Sequence, residues 1–326
     1  MEVIKVFDRP ASRAFYSVAG RLLFIQSFNL ELCNLLEQLF AGWQLSLVSS
    51  PQRSPDIRIS FHCAQSLPDI PSHLNHFEIA EAGRCYTDGA DFYLALGNAV
   101  VHLKSGSPVT VSVWFEELPE RGDPLLARVG SFAVCAALRR YGLFDLHSAG
   151  VVEPESDSAV LIVGPSGSGK STLALHLVNS GWPYLSDDEL LLSVADGFVE
   201  ARGFRSFFAV GTDKNEPFKY CFEPDTPRTE KAVPRCLLFT RLNESENSNL
   251  QKLTQAETMT RLLRACPWAT YDTSIAGANL GLLSCLARQA IGFDLSAGRD
   301  LLEPRHAGLW LKDVLFSPNL FVSFCG

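Results

Sequence analysis

The chain has 326 residues, a formal net charge of −8, 47% hydrophobic residues and 20% charged residues. This composition is typical of a globular protein that is long enough for two domains and a large core. The acidic balance disfavours a broad nucleic-acid surface and no apolar run reaches the length of a membrane span, so we predict neither nucleic acid nor membrane as a partner.

The nine cysteines of the chain are scattered. None forms a Cys-x-x-Cys pair, and no cysteine–histidine cluster has the spacing of a zinc site. An odd number of cysteines, most of them in apolar contexts, indicates a reducing compartment. The first five residues lack the charged and apolar regions of a secretion signal. The sequence therefore predicts a cytoplasmic protein.

Residues 1–120 have the pattern of an α+β module. A strand–turn–strand pattern over 15–25 precedes an amphipathic helix over 30–40 that ends at Gly42. Short strands are predicted at 56–62, 76–80, 91–96, 98–103 and 109–115. The histidines of this module fit no metal site by their spacing: His62, His73, His76 and His102. We expect the module either to recognise a partner or to pack on the second domain.

The second predicted domain, residues 121–326, opens with a helix over 123–140. Asp123 suits its N-cap and Pro124 its first turn. Further along the chain, the pattern predicts a core strand over 237–240 and two helices that cover the sheet, near 254–265 and 277–291.

The segment over residues 212–232 is charged and rich in proline. It predicts either a solvated loop or a mobile flap over an acceptor. In the second case its basic side chains would help to bind an acidic substrate or the transferring phosphate: Lys214, Lys219, Arg228 and Lys231.

A glycine-rich segment has the spacing of a phosphate-binding loop: Gly164, Pro165, Ser166, Gly167, Ser168, Gly169, Lys170 and Ser171. It follows a buried-strand pattern over 158–163 and precedes a helix pattern over 171–178, which is the order that such a loop requires. We predict that the loop, with Thr172, holds the phosphates of ATP. Lys170 would contact the outer phosphates, and the Ser171 hydroxyl would bind Mg²⁺.

A pair of aspartates, Asp187 and Asp188, follows at a break between strand patterns over 184–185 and 190–194. Beside a phosphate loop, such a pair serves two purposes. One carboxylate holds Mg²⁺, and the other accepts a proton from an attacking hydroxyl. The alternative is a solvated acidic turn.

The order of these motifs resembles the catalytic domain of HPr kinase/phosphorylase. His147, the glycine-rich loop, the aspartate pair and the run Glu200-Ala201-Arg202-Gly203 occur in the same order. Phosphoenolpyruvate carboxykinase has a similar series. The resemblance covers residues 143–205, continues more faintly to about residue 315, and does not extend to the first hundred residues, so the layout is most similar to the HPr-kinase-related proteins. It implies an α/β fold, with an HPr-kinase/PEP-carboxykinase-like P-loop core behind an N-terminal α+β module.

The resemblance also implies roles for individual residues. Asp187 is similar to the aspartate proposed as base toward a serine hydroxyl, and Asp188 to the metal-associated aspartate. His147 resembles a histidine that supports the phosphate or the base. Glu200, as a metal ligand, and Arg202 match the Glu-x-Arg-Gly motif of the family. The sequence departs from the family after Gly203, so two arginines stay open as the catalytic residue that faces the substrate, Arg202 and Arg205.

We therefore predict an ATP- and Mg²⁺-dependent kinase, a phosphotransferase that acts on a serine hydroxyl of a peptide or protein. The C-terminal loop of the family's reverse reaction has no counterpart, which favours the kinase reaction over the phosphorylase reaction. Two alternatives stay open: a kinase of small-molecule hydroxyls, and a non-catalytic nucleotide-binding partner. The sequence names neither the acceptor nor a homo-oligomeric state, and it does not separate ATP from GTP.

Overall fold

A computed structural model of the chain describes residues 12–79, 83–89, 91–210, 220–302 and 304–315. Within these residues it shows a mixed α/β fold with two large mixed sheets, which confirms the predicted class. The chain divides into two compact units. The first unit comprises Met1–Leu143 and Trp268–Gly277, and the second comprises Phe144–Pro267 and Ala278–Gly326.

The described residues contain twenty strands and seven α-helices. The helices are α1 (Leu30–Ala41), α2 (Pro124–Arg139), α3 (Lys170–Asn179), α4 (Gln255–Ala265), α5 (Trp268–Tyr271), α6 (Ala276–Gln289) and α7 (Pro304–Leu315). The strands of the first unit are β1 (Ser12–Val18), β2 (Arg21–Ser27), β3 (Ser46–Leu47), β4 (Ile57–Cys63), β5 (Asn75–Ile79), β6 (Gly83–Thr87), β7 (Asp91–Leu96), β8 (Ala99–Lys104) and β9 (Val109–Phe115). Those of the second unit are β10 (Phe144–Leu146), β11 (Ser148–Val152), β12 (Ser158–Val163), β13 (Tyr184–Ser186), β14 (Leu190–Ala195), β15 (Phe198–Gly203), β16 (Phe208–Val210), β17 (Tyr220–Phe222), β18 (Lys231–Leu242), β19 (Asn249–Lys252) and β20 (Ile291–Ala297).

The first unit is built on one sheet with the strand order β3-β1-β2-β4-β9-β8-β7-β6-β5. Strands alternate buried and more accessible positions, as in β9, because successive side chains point to opposite faces. Helix α1 begins at Asn29, whose side chain accepts a hydrogen bond from the backbone N–H of Leu32 at 3.0 Å. Helix α2 begins in the same way at Asp123, as the sequence predicts, and it packs on this sheet.

The second unit has a sheet with the order β10-β14-β15-β18-β12-β11-β13, to which β20 and β19 are added beside β18. Helices α3 and α7 pack on one face of it. Their apolar side chains, such as Leu173 and Leu311, join Val160 and Ile162 of β12 in one core cluster. This packing holds helix α3 against the strand that precedes it.

The structure corrects several predicted elements. The five strands predicted between residues 56 and 115 are present, but β3 and β6 were missed, because both are short and neither shows a clear apolar alternation. The helix predicted over 277–291 ends at Gln289, since Ile291 already pairs with Cys236 in β18. None of the helices in the described ranges has both the length and the apolarity that crossing a bilayer requires.

Candidate active site

The glycine-rich loop, the aspartate pair and His147 meet at one edge of the second-unit sheet because of the way its strands run. Strand β12 is parallel to β18 and antiparallel to β11, and β11 is in turn antiparallel to β13. The carboxyl ends of β12, β13 and β18 therefore lie at the same edge as the start of β11. Loops that leave this edge carry the glycine-rich segment, the aspartate pair and His147. This is the edge at which ligands bind in open α/β sheets.

The glycine-rich loop joins β12 directly to α3. Gly167 and Gly169 have φ angles of 78° and 87°, a region that side chains other than glycine rarely adopt. Gly164 has no room for a side chain, because a Cβ there would lie 2.5 Å from Ser168 Oγ and 2.8 Å from the carbonyl oxygen of Thr240. The loop leads directly into the N-terminus of α3, whose partial positive charge favours the binding of an anion.

Lys170 turns back into this loop. Its side chain is buried, and its Nζ donates hydrogen bonds to the carbonyl oxygens of Gly164 and Pro165 at 2.9 and 3.1 Å. Nζ also lies 3.1 Å from Nε2 of His147. The ammonium group is therefore held inside the curve of the loop, where an anion on the loop amides would meet it.

His147 connects the loop to the aspartate pair. Its Nδ1 lies 3.4 Å from Oδ1 of Asp188. Because a lysine ammonium only donates, we infer that Nε2 of His147 accepts from Lys170 and that Nδ1 carries the proton facing Asp188. Partial loss of hydration lowers the pKa of His147 from its usual value, although its side chain is 46% exposed. The Lys170 charge acts in the same direction, and Asp188 opposes it. These effects favour the neutral ring.

The two aspartates differ sharply in exposure. The Asp187 side chain is buried, at 1% exposure, whereas the Asp188 side chain is 43% exposed. Asp188 has a φ of 67°, and the N–H of Glu189 donates to the carbonyl oxygen of Asp187 at 2.8 Å across it. Such a tight turn costs energy at a residue other than glycine, and backbone strain of this kind concentrates at functional sites.

Ser186 holds this acidic turn against the segment after β15, and the sequence analysis missed it. Its buried hydroxyl accepts hydrogen bonds from the N–H of Arg205 at 2.8 Å and of Phe204 at 3.3 Å. The Arg205 side chain then pairs with Glu189 at 3.1 Å, with both side chains largely buried. The position of Ser186 at the end of a predicted strand, directly before the aspartates, is the signal that could have identified it.

Thr240 is a second site residue that the sequence analysis did not single out. Its hydroxyl lies 3.3 Å from Ser168 Oγ of the loop. Thr240 stands near the carboxyl end of β18, and a polar residue at that end of a predicted core strand was the available signal.

Two residues of the Glu-x-Arg-Gly motif make contacts elsewhere. Arg202 pairs with Glu230, and Glu200 pairs with Lys231 at 2.9 Å. The end of the β14–β15 pair nearest the acidic turn is Leu190 opposite Gly203, whereas Glu200 lies opposite Ser193. Glu200 is therefore three residues, or about 10 Å, from that end of the strands. The structure therefore brings Arg205 to the acidic turn, but it does not bring Arg202 or Glu200 there.

The segment predicted as a loop or flap is only partly within the described residues. Residues 211–219, with Lys214 and Lys219, lie outside them. The loop prediction is wrong at two places in the segment, because Tyr220–Phe222 form β17 and Lys231 begins β18. The N–H of Thr229 also donates to the carbonyl oxygen of Tyr184 at 2.8 Å, which ties this end to β13. Arg228 lies 3.8 Å from Glu223.

Comparisons with known proteins leave the family open. No family model matches the chain, and no curated protein matches it. Among solved structures, the HPr(Ser) kinase/phosphatase from Coxiella burnetii is similar over 34% of this chain and 77% of its own, with 16% identity and a TM-score of 0.25. A likeness at this score supports no assignment, so the function is argued from the site itself.

Proposed function

We propose that the chain is an ATP- and Mg²⁺-dependent kinase that phosphorylates a serine hydroxyl of a peptide or protein. The observation that carries the proposal is the meeting of Lys170, His147 and Asp188 at the mouth of a glycine-rich loop. A loop that only turns the chain has no need of this arrangement. Phosphoryl transfer needs it, because its catalysis consists mainly of positioning and neutralisation of charge.

The loop fits the phosphates of a nucleotide. The left-handed glycines Gly167 and Gly169 allow its backbone amides to turn toward one point. Helix α3 adds the partial charge of its N-terminus. Lys170 reaches the same region, and its contacts with Gly164 and Pro165 would be exchanged for contacts with phosphate oxygens. Ser166, Ser168 and Thr172 complete the proposed binding segment.

The oxygen donors at this edge suit Mg²⁺, which prefers carboxylate and hydroxyl oxygens. Ser171, in the first turn of α3, and the half-exposed Asp188 would hold the ion. Bound there, Mg²⁺ would neutralise charge on the transferring group. Glu200 does not fit this set, because it is paired with Lys231 away from the edge.

In the proposed reaction, the acceptor hydroxyl loses its proton to Asp187 as its oxygen forms a bond to the γ-phosphorus. The bond between that phosphorus and the β–γ bridging oxygen breaks, and its electron pair leaves with ADP. Lys170 stabilises the charge that develops on the phosphate oxygens. His147, between Lys170 and Asp188, keeps both side chains in position.

The burial of Asp187 favours a second assignment of the base within the same reaction. A base must come within hydrogen-bond distance of the acceptor hydroxyl, and Asp187 is 1% exposed. Asp188 is open to solvent, and His147 orients its carboxylate. In this assignment Asp188 accepts the proton, and Asp187 acts by holding the turn.

Phosphate transfer onto a library of serine-containing peptides, followed by mass spectrometry, tests the proposal. We expect a serine phosphopeptide that forms only with MgATP and is absent with Lys170→Ala. Transfer to sugars or amino acids alone would point to the small-molecule kinase. Tight binding of MgATP without transfer to any acceptor would favour the non-catalytic nucleotide-binding protein.

A further inference from the structure

The first-unit sheet has one face that carries no helix within the described part of the chain. Helices α1, α2 and α5 all pack on the opposite face. The Phe40 ring of α1 contacts Phe61, and the rings of Phe132 and Trp268 contact Phe92. We call the other side the bare face; it is the side of the central strands that carries Arg13, Phe24, Arg58, Ser112, His102 and Lys104.

Positive charge is arranged in a row across the bare face. Arg13, Arg58 and Lys104 are exposed, and none of them forms an ion pair with a described residue. The guanidinium of Arg58 lies over the Phe24 ring at 5.5 Å. In a chain with a net charge of −8, this row is a local exception that favours an acidic partner.

The acidic groups on the bare face are already engaged. Asp91 lies 2.9 Å from Nε2 of His102, and Glu78 lies 2.6 Å from Arg84. Lys104 stands directly opposite Asp91 in the strand register, but Asp91 makes its contact with His102. The positive row is therefore not neutralised by the face itself.

The rings of the bare face do not suit a nucleobase. Tyr93 stacks on His102 with centroids 4.1 Å apart and planes at 2°. His62 stacks on Phe28 at 4.8 Å and on Trp114 at 5.6 Å. Single-stranded nucleic acids bind by stacking bases on open ring faces, and here ring faces are used within the protein.

The strand register sets the spacing of the row. Arg58 and Lys104 are two strands apart and in register, which separates them by about 10 Å. Arg13 is two strands from Arg58 and displaced from it by two residues along the strands, which separates them by about 12 Å. A segment in the extended polyproline II conformation has three residues per turn and advances about 3.1 Å per residue, so acidic side chains three positions apart lie on one side of it, about 9 Å from each other.

We propose that the bare face is a docking surface for an extended, acidic segment of a partner protein that lies across strands β1 to β8. Carboxylates of the segment, about three positions apart, pair with Arg13, Arg58 and Lys104. The docking surface belongs to the first unit and does not depend on the proposed kinase reaction. It gives the first unit a recognition role that the site in the second unit does not supply.

Fluorescence anisotropy with the full-length protein tests this proposal. The probe is a labelled peptide of repeated Asp-Ser-Gly units, compared with the same peptide carrying Asn in place of Asp and with a labelled oligouridine. We expect the Asp peptide alone to bind, with an affinity that falls as salt rises. The combined variant Arg13→Ala, Arg58→Ala, Lys104→Ala should bind it roughly tenfold more weakly.

Arg121→Ala is the matched control, because Arg121 is an exposed arginine of the first unit that lies outside the sheet. It should bind as the wild type does. Circular dichroism and the single variants Arg58→Ala and Lys104→Ala separate loss of binding from loss of fold. Equal binding of the Asn peptide, undiminished binding by the folded combined variant, or binding of oligouridine instead of the Asp peptide would overturn the proposal.

Discussion

The imidazole of His147 lies 3.4 Å from the carboxylate of Asp188, although His147 precedes β11 and Asp188 follows β13. The two strands pair antiparallel, so the start of one meets the end of the other. This pairing places a histidine between the glycine-rich loop and the acidic turn. Substitutions of single residues can therefore test whether the loop, the histidine and the acidic turn act together.

Replacing Lys170 by alanine should weaken nucleotide binding. The substitution removes a charge-assisted contact worth roughly 1.5–3 kcal/mol. Calorimetric titration with MgATP measures the effect. Lys252→Ala, at an exposed lysine on β19 of the same unit, is the control and should bind normally. Unchanged affinity in Lys170→Ala would rule out the loop as the phosphate site.

The two aspartates should respond differently to substitution by asparagine. If Asp187 is the base, Asp187→Asn should bind MgATP normally but lose transfer, because an amide does not accept the proton. Asp188→Asn should lose the dependence on Mg²⁺ together with activity. Titration of Mg²⁺ in binding and in transfer assays separates these effects.

Reversed results for the aspartates would support the second assignment. In that case Asp188→Asn would bind MgATP and fail in transfer, and Asp187→Asn would unfold at a lower temperature than the wild type. Wild-type rates in both variants would exclude either carboxylate as the base.

The His147→Gln variant should transfer phosphate more slowly while its melting temperature stays unchanged. We expect a loss of roughly 10–100-fold, as for residues that orient a metal-associated ligand. The fold should tolerate the change because the His147 side chain is 46% exposed. Thermal unfolding and single-turnover kinetics check the two expectations, and normal turnover would assign His147 to the fold.

Ser186→Ala should destabilise the second unit by about 1–3 kcal/mol, because it removes the acceptor of two buried backbone N–H groups. Those groups belong to Phe204 and Arg205, at 3.3 and 2.8 Å. Urea denaturation measures the loss. Ser284→Ala, on the half-buried side of α6, should change stability much less, and an equal loss in both variants would contradict the role of Ser186.

Acidification should destabilise the first unit through His62. Burial lowers the pKa of His62 below its unfolded value of about 6.5. The unfolded chain then binds the proton more readily, so stability is full above the unfolded pKa and is lost as the pH falls below it. The melting temperature should fall less on acidification in His62→Phe, which retains the stack without titrating. If the melting temperature falls equally with pH in the wild type and in His62→Phe, protonation of His62 does not contribute to the loss of stability.

The glycine-rich segment and its neighbours were predicted correctly because their signals are local. The strand Ser158–Val163 and the helix Lys170–Asn179 are present on either side of the loop. Their apolar periodicity and the glycines between them depend only on residues close in the chain. The break around Asp187 and Asp188 was predicted for the same reason.

The way in which His147 reaches the site depends on strand order. The structure has an antiparallel strand, β11, between β12 and β13. The start of an antiparallel strand lies at the same edge as the end of its partner, so His147, which directly precedes β11, lies at the edge where β12 and β13 end. Strand order depends on pairing between distant residues, which periodicity does not report.

The sequence by itself determined the chemical groups available to this protein: a loop with glycines where the backbone has positive φ, a lysine, a histidine and two carboxylates. The tertiary structure alone decided which of them meet. It buried Asp187, exposed Asp188, brought Arg205 to Glu189 and drew Glu200 to Lys231. The physical reason is that residue types and local propensities act over a few positions, whereas burial and ion pairing follow from how whole strands and helices pack.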